Sequence, residues 1–190
     1  MHKLWQKKKA EAEALKNKPR GSPARIRLQK ELGELDSSRE FEILPTNDLM
    51  RFVLIYRPSS GTYEGGRFSF KFEVGENYPH EPPKVICEQT IFHPNIDTEG
   101  HICLNVLRED WKPVLNIQSV IFGLQLLFLE PNPADPLNKE AANMMVKDEG
   151  GFARKVGMTM RGCTIDNVKY TNVHVSPSSR HYGHGSPDSS

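Results

Sequence analysis

The sequence contains no apolar run that approaches the roughly 20 residues needed to cross a bilayer. The longest candidate, Val120–Leu129, is interrupted by Gln125 and followed by Glu130-Pro131. Residues 1–18 are charged where a secretory signal would be apolar, and they contain no Arg, unlike a mitochondrial presequence. We therefore expect a soluble protein that does not act in a membrane.

Cysteine is also scarce. The 190 residues include three, Cys87, Cys103 and Cys163, an odd number without a CxxC pair. Together with the missing secretory signal, this count favours a reducing compartment over a disulfide framework. In such a compartment each Cys is either a buried small hydrophobic residue or a nucleophile.

Charge is nearly balanced overall, at +1, but it is unevenly distributed. Residues 1–35 carry ten Lys/Arg and four Asp/Glu, whereas residues 36–190 carry fifteen against twenty. A basic arm of this kind favours binding to an acidic protein or to nucleic acid, and the alternative is a solvated helical surface. The composition predicts a flexible basic extension over 1–21, one domain over 22–175 and a disordered Ser/Pro/Gly/His-rich tail over 176–190.

Four candidate strands fall in the first half of the chain. The clearest is Arg67–Val74, where four apolar residues alternate with four polar ones, the pattern of a strand with one buried face. The other three are Glu40–Leu44, Met50–Arg57 and Lys84–Glu88. Helices flank these strands rather than alternating with them, which predicts an α+β fold with a four-stranded antiparallel meander.

Helix signals stand on both sides of the strands. Ser22-Pro23 predicts the start of a helix that continues to about Leu35. Further helices are predicted over Ile117–Leu129, from Asn138 to about Asp148, and after Gly150-Gly151 through Met160. The helix over Ile117–Leu129 is apolar on nearly every face, which predicts a central, buried position. Apolar residues after Gly162 are expected to pack only loosely.

The segment Ile91–Leu115 has no sustained period, and a loop of this length is usually functional. Its chemistry allows three interpretations. A metal site would gather His93, His101, Cys103 and Cys87, but the close ligand pairs typical of zinc are missing. A cysteine hydrolase would use Cys103 with a His base and an Asn, but no hydrolase signature accompanies them.

The third interpretation is acyl transfer. Exchange of an acyl group between thiols is nearly isoenergetic, so a thioester can pass to Cys103 without a cofactor, and a lysine amine can then attack it. The amide of Asn95 would stabilise the oxyanion of the tetrahedral intermediate. Asp135, in a Pro-flanked turn, would orient and deprotonate the incoming ammonium.

Four segments carry a resemblance to a known family. They are Tyr78–Val85 (YPHEPPKV), His93–Asn105 (HPNIDTEGHICLN), Trp111–Pro113 (WKP) and Glu130–Leu137 (EPNPADPL). In this order they resemble the ubiquitin-conjugating enzyme family, over about Ala24 to Arg161, and Leu107–Val114 resembles its neddylation branch in the fungal form. The resemblance implies the family fold: an N-terminal helix, a four-stranded antiparallel meander, the active-site loop and three C-terminal helices.

The resemblance also implies roles for individual residues. Cys103 would be the nucleophile that forms the thioester, and Asp135 the acidic residue at the mouth of the site with Asn132 in the same turn. Asn95 would either stabilise the oxyanion or hold the loop, two roles that the sequence does not separate. Asn105 stands where many members have Asp, and His93 is expected to be a structural hydrogen-bonding residue.

Partner sites follow from the same resemblance. Three residues of the basic extension would dock on the neddylation activating enzyme or its co-ligase: Met1, Leu4 and Trp5. Contacts with a RING ligase would come from Arg27, His80, Pro113 and Val114, all expected to be exposed. A solubilising tail and an ordinary surface are the respective alternatives.

The sequence as a whole thus predicts a monomeric transferase that accepts a ubiquitin-like modifier and passes it to a lysine, with cullins as the implied substrates. Cytoplasm and nucleus are the implied locations. No cofactor, metal or nucleic acid is expected, because the activating enzyme uses the ATP. Two alternatives remain: the same chemistry with ubiquitin itself, and a non-catalytic scaffold.

Overall fold

The computed structural model describes residues 21–35 and 38–175. The predicted extension, apart from Gly21, and the predicted tail over 176–190 lie outside these ranges, and so do Met1, Leu4 and Trp5. Within the described ranges no helix combines the length and the hydropathy needed to cross a membrane.

A four-stranded antiparallel sheet forms the centre of the fold. Its strands are β1 (Phe41–Pro45), β2 (Arg51–Tyr56), β3 (Phe68–Glu73) and β4 (Lys84–Cys87), ordered β1-β2-β3-β4. Every adjacent pair is antiparallel. The predicted meander is confirmed, and each strand end lies within one residue of its prediction.

Within residues 21–35 and 38–175 four helices accompany the sheet: α1 (Pro23–Gly33), α2 (Ile117–Leu129), α3 (Lys139–Lys147) and α4 (Glu149–Met160). Their starts follow from side chains that accept the first free backbone N–H groups. Ser22 caps α1 as predicted, Asn138 caps α3, and Asn116 forms a reciprocal capping box with Ser119 at the start of α2. α1 ends at Gly33, two residues before the predicted end.

Helix α2 packs against the sheet through aromatic contacts of Phe128. The Phe128 ring packs against Phe68 on β3 at 4.7 Å, and edge-on against Tyr56 on β2 at 5.4 Å and Phe70 on β3 at 5.8 Å between ring centroids. Aromatic pairs at these distances add to the free energy gained by burial. This contact fixes the C-terminal end of α2 over the sheet.

The predicted central, buried position of α2 holds for one side of the helix and not for the other. Phe122 is 56% exposed, and Leu126 and Leu129 are also exposed, whereas Val120 and Leu124 are fully buried. Burial of α2 is therefore one-sided although the sequence is apolar all round. The sequence pattern cannot distinguish an apolar residue of the core from one that faces solvent.

The segment after α4 is also packed more tightly than predicted. It forms a small hairpin of β5 (Thr164–Ile165) and β6 (Val168–Lys169). Tyr170 and Val173 beyond it are buried in the core, and the Val173 carbonyl accepts a 2.8 Å hydrogen bond from the Arg67 N–H. The expectation of loose packing is therefore wrong, because this segment closes one side of the core.

Candidate active site

The chain between β4 and α2 brings Asn95 and Cys103 together although they are eight positions apart in the sequence. Single antiparallel bridges join Ile96 to His93 and to Ile102, so this part of the loop folds back on itself. The Cys103 N–H donates to the Asn95 carbonyl at 2.8 Å. A short 3-10 helix, Asn105–Leu107, follows at once and turns the chain away.

Gly100 holds this loop against the end of β4. The Cys87 N–H donates to the Gly100 carbonyl at 2.9 Å. Gly100 has a φ of +88°, which favours glycine, and a Cβ at this position would lie 2.0 Å from the Cys87 carbonyl oxygen. Only glycine permits this approach, which sets the position of the loop three residues before Cys103.

The Asn95 side chain bonds to the main chain of a second segment. Its Nδ2 donates to the carbonyls of Asn132 at 2.7 Å and Asp135 at 3.1 Å, and its Oδ1 accepts from the Asn132 N–H at 2.8 Å. Asn95 is almost completely buried. The amide thus fastens the turn that carries Asp135 to the loop that carries Cys103. Of the two roles left open by the sequence, the observed contacts correspond to holding the loop.

His93 is a neutral structural residue. Its Nδ1 accepts from the Asn95 N–H at 3.0 Å, which leaves Nε2 to donate to the Leu127 carbonyl at 3.1 Å. Burial lowers the pKa of His93 to about 3, and the hydrogen bond to Leu127 offsets part of that shift. The ring stacks on Tyr63 at 5.0 Å. His93 therefore links the loop to α2, as expected from the sequence.

Cys103 and Asp135 form a direct pair. The Cys103 Sγ donates to Asp135 Oδ2 at 2.7 Å, and Cys103 is only 5% exposed. Burial raises the pKa of the Cys103 thiol, the hydrogen bond to Asp135 raises it further, and the charge of Arg108 acts in the opposite direction. The resting form is a protonated thiol whose nearest proton acceptor is a carboxylate.

A groove of about 300 Å³ leads away from this pair. Leu104, Leu126 and Leu127 supply its apolar walls, and Glu130 and Asp135 carry its negative charges. Its width depends on α2, where a Cβ on Gly123 would come within 3.2 Å of the Leu104 side chain. The site thus combines a thiol, a carboxylate and an open apolar groove, which suits acyl transfer to and from an extended chain.

The metal interpretation is not supported by the geometry. Both ring nitrogens of His93 have protein partners. In the part of the chain that the structure describes, the one group of three potential ligands is Asp97, Glu99 and His101 on the exposed side of the loop. That group contains neither Cys103 nor His93, so the four residues considered from the sequence do not form a site.

Cys87 and Cys163 lie outside the site. Cys87 is buried on β4, and burial raises its pKa to about 12. Cys163 is half-buried beside the hairpin. Of the three cysteines, Cys103 alone lines the groove.

Of the residues expected to bind a ligase, His80, Pro113 and Val114 are exposed, and Val114 is 81% exposed. Arg27, which was also expected to be exposed, is only partly so. Its side chain is half-buried, its Nε donates to Glu31 at 2.7 Å, and its Nη2 donates to the Leu115 carbonyl at 3.0 Å. The motifs do not point to Glu31, although the i,i+4 spacing to Arg27 is a readable signal.

The chain is similar to a known protein family and to named members of it. The family model described as "Ubiquitin-conjugating enzyme" matches residues 27–160. The chain is 47% identical over 175 residues to the NEDD8-conjugating enzyme ubc12 of Schizosaccharomyces pombe, covering 91% of this chain and 99% of that protein. It is 51% identical over 167 residues to the Nedd8-conjugating enzyme UbcE2M of Drosophila melanogaster, covering 87% and 92%.

The fold agrees with a solved structure. The chain superimposes on S. cerevisiae Ubc12 with a TM-score of 0.78 at 45% identity, covering 92% of this chain and 98% of that one. The family model covers well over half of the chain, and the resemblance seen in the sequence motifs is confirmed. From its fold, its motifs and these matches, the chain belongs to the ubiquitin-conjugating enzyme family.

Proposed function

We propose that this protein accepts NEDD8, a ubiquitin-like modifier, as a thioester on Cys103 and transfers it to a substrate lysine. The observation that carries the proposal is the Cys103–Asp135 pair at the end of an open groove. The relatives described above, with identities near 50%, are named NEDD8-conjugating enzymes, which favours this modifier.

In the charging step, Cys103 exchanges with the thioester carried by the activating enzyme. The Cys103 sulfur loses its proton and attacks the carbonyl carbon of the modifier. A new C–S bond forms, the C–S bond to the activating enzyme breaks, and that enzyme's sulfur leaves as a thiolate that then takes up a proton. The Asp135 carboxylate is the proton acceptor nearest the sulfur, at 2.7 Å. Thioester exchange is close to isoenergetic, so this step needs no cofactor on this chain.

In the transfer step, the lysine amine attacks the carbonyl of the Cys103 thioester. An isopeptide bond forms, the C–S bond breaks, and the sulfur takes back a proton. The exposed Asp135 carboxylate attracts the incoming ammonium and accepts a proton from it. Asn95 contributes by holding the Asp135 turn, because its amide is already bonded to the main chain there.

Ubiquitin is the second candidate modifier, because the matched family model is described by ubiquitin conjugation. A scaffold without activity is the weaker alternative, since Cys103, Asn95 and Asp135 are all present and in contact. Cys103 has a thiol, Asn95 an amide and Asp135 a carboxylate, and hydrogen bonds join the three residues to one another.

Further partners belong to the same proposal. A RING ligase binds at His80, Pro113 and Val114, a cullin supplies the lysine, and the chain acts as a monomer in cytoplasm and nucleus. The exposure of all three ligase residues supports this surface. Met1, Leu4 and the neighbouring Trp5 dock on the activating enzyme and the co-ligase, with the excess of Lys and Arg in residues 1–35 favouring an acidic partner.

The experiment mixes the purified chain with ATP and either NEDD8 and its activating enzyme or ubiquitin and its activating enzyme. We expect a thiol-sensitive adduct with the NEDD8 pair, and none from the Cys103→Ala variant. Cys163→Ala is the matched control and should charge normally. An adduct with the ubiquitin pair alone would contradict the proposal, and charging of Cys103→Ala would show that the nucleophile is misassigned.

A further inference from the structure

Glu31 carries a largely buried carboxylate that the transfer chemistry does not use. Its side chain is 10% exposed on α1, whereas that of Glu34, which directly follows the last residue of the helix, is 65% exposed. A buried carboxylate is costly unless it is paired and hydrogen-bonded, so its partners have to be identified.

Those partners come from three separate segments. Arg27 on α1 donates its Nε to Oε1 at 2.7 Å. The Tyr78 hydroxyl and the Ile117 N–H both donate to Oε2, the second at 3.1 Å. Because Ile117 is the first residue of α2, the carboxylate also lies at the positive end of that helix. One side chain thus joins α1, α2 and the segment before β4.

A second set of contacts extends from this carboxylate. Arg27 Nη2 donates to the Leu115 carbonyl at 3.0 Å, and the guanidinium lies over the Tyr78 ring at 5.7 Å. Tyr78 packs against Trp111, whose Nε1 donates to the Pro79 carbonyl at 2.8 Å. The segments that contain residues 78–79 and 111–115 are therefore tied to each other and to α1.

The three exposed residues proposed to bind a ligase are close in the sequence to these hydrogen-bonded residues. His80 directly follows Pro79, and Pro113 and Val114 lie between Trp111 and Leu115. Neither loop is part of the sheet, so their relative placement depends on the contacts just described. An interface formed by two loops requires both to be held in position before binding.

We propose that Glu31 is a positioning residue for ligase binding, a role that rests on the proposed function. It holds the loops of His80 and of Pro113-Val114 in one arrangement without contacting the ligase or the reacting atoms. Arg27 acts through the same carboxylate. Replacing Glu31 loosens the two loops, which weakens ligase binding and leaves the Cys103 thioester as reactive as before.

The test compares Glu31→Gln with Glu34→Gln, because Glu34 at the C-terminal end of α1 is exposed and pairs only with the exposed Lys30 among the described residues. Each variant is charged with excess activating enzyme, and release of NEDD8 is followed to free lysine alone and with increasing concentrations of a purified cullin–RING ligase. Melting curves followed by circular dichroism identify a temperature at which all variants are folded.

We expect Glu31→Gln to raise the KM for the ligase about tenfold with little change in kcat and in discharge to free lysine. Glu34→Gln should match the wild type in all three measurements. Tyr78→Phe removes one hydrogen bond to Glu31, keeps its ring, and should raise the KM by a smaller factor in the same direction.

Two results would overturn the inference alone: an unchanged ligase KM in folded Glu31→Gln, or an equal loss in discharge to free lysine, which indicates a general structural defect. Failure of the wild-type chain to accept NEDD8 would overturn the proposed function and this inference with it. That result is seen before any variant is compared.

Discussion

The two ends of α2 are held by polar networks of opposite character. At the N-terminal end, the charged side chains of Glu31 and Arg27 join segments that carry the proposed ligase surface. At the C-terminal end, the neutral side chains of Asn95 and His93 bond mainly to main-chain groups, among them the Leu127 carbonyl of α2 itself.

The two networks differ in charge because the two ends of α2 hold different parts of the molecule. A neutral network keeps its hydrogen bonds across a wide range of pH and avoids the desolvation cost of a charge, which suits the atoms around a nucleophile. The charged network lies nearer the surface, where Arg27 remains partly solvated, and it acts over several segments. Four predictions test this contrast.

The largest effect is expected at the neutral end, from Asn95→Ala. The variant loses three hydrogen bonds to the turn of Asn132 and Asp135 and leaves main-chain groups of that turn without these partners. A displacement of about 1 Å near the reacting atoms costs on the order of 100-fold in rate, and we expect a loss of that size in single-turnover discharge to lysine.

Hydrogen exchange of the same Asn95→Ala variant separates the two roles of this residue. If Asn95 holds the turn, the Asn132 N–H, which loses its side-chain acceptor, exchanges faster in the variant. Slow discharge together with unchanged exchange would instead indicate that Asn95 acts on the oxyanion.

A second effect concerns the pH dependence of stability. In the folded chain the pKa of His93 is about 3, against an ordinary value of 6.5, so below pH 6.5 the unfolded chain binds a proton that the folded chain does not. The part of the free energy of unfolding that depends on a neutral His93 is therefore fully present above pH 6.5, and it is lost progressively as the pH falls toward 3. The slope approaches about 1.4 kcal/mol per pH unit.

Urea unfolding at pH 7.5, 6.5 and 5.5 measures this slope. The slope should be smaller in His93→Gln, because this variant lacks the one proton that His93 takes up on unfolding. The matched control is His101→Gln, because His101 is exposed and Asp97 raises its pKa, which gives a dependence of the opposite sign. Equal slopes in wild type and His93→Gln would show that a charged form of His93 is accommodated.

A smaller effect is expected from Asp135→Asn, with opposite signs in two assays. Because Asp135 raises the pKa of the Cys103 thiol, the variant should form more thiolate at pH 7 and react faster with iodoacetamide. Loss of an exposed charge worth about 1 kcal/mol should slow discharge to lysine about fivefold. Equal slowing of both reactions would mean that the turn itself had moved.

The smallest effect on catalysis is expected from Asn116→Ala at the charged end. The variant removes the capping box of α2 but leaves the contact of Glu31 with Ile117. We expect a loss of about 1 kcal/mol in the free energy of unfolding, measured by urea titration, and an unchanged rate of discharge. A reduced rate would indicate that the two ends of α2 are coupled more strongly than the contacts suggest.

The sheet was predictable because its signals are local. The alternation in Arg67–Val74 predicts β3, and side-chain caps such as Ser22 mark the helix starts. The hairpin of β5 and β6 was also readable, since Asp166-Asn167 occupies a two-residue turn with positive φ at both positions, which Asp and Asn tolerate. Its close packing depends on distant partners that no local pattern contains.

In the candidate site, the sequence predicts the residues that belong to motifs but not the contacts between them. The family resemblance identifies Cys103, Asn95 and Asp135, but the bonds from the Asn95 amide span 37 and 40 residues to a turn whose carbonyls have no sequence signal. The partners of Glu31 are up to 86 residues away. Such contacts follow from how the elements pack, so their discovery required the three-dimensional structure.

The contact of Gly100 with β4 also bears on aggregation. β4 is an edge strand, and an edge with free backbone N–H and C=O groups is a template for pairing with another chain. The Gly100 carbonyl accepts a hydrogen bond from the Cys87 N–H, so the active-site loop covers the end of that edge. A side chain at Gly100 would displace the loop, and it would expose this end of the sheet to association as well as moving the nucleophile.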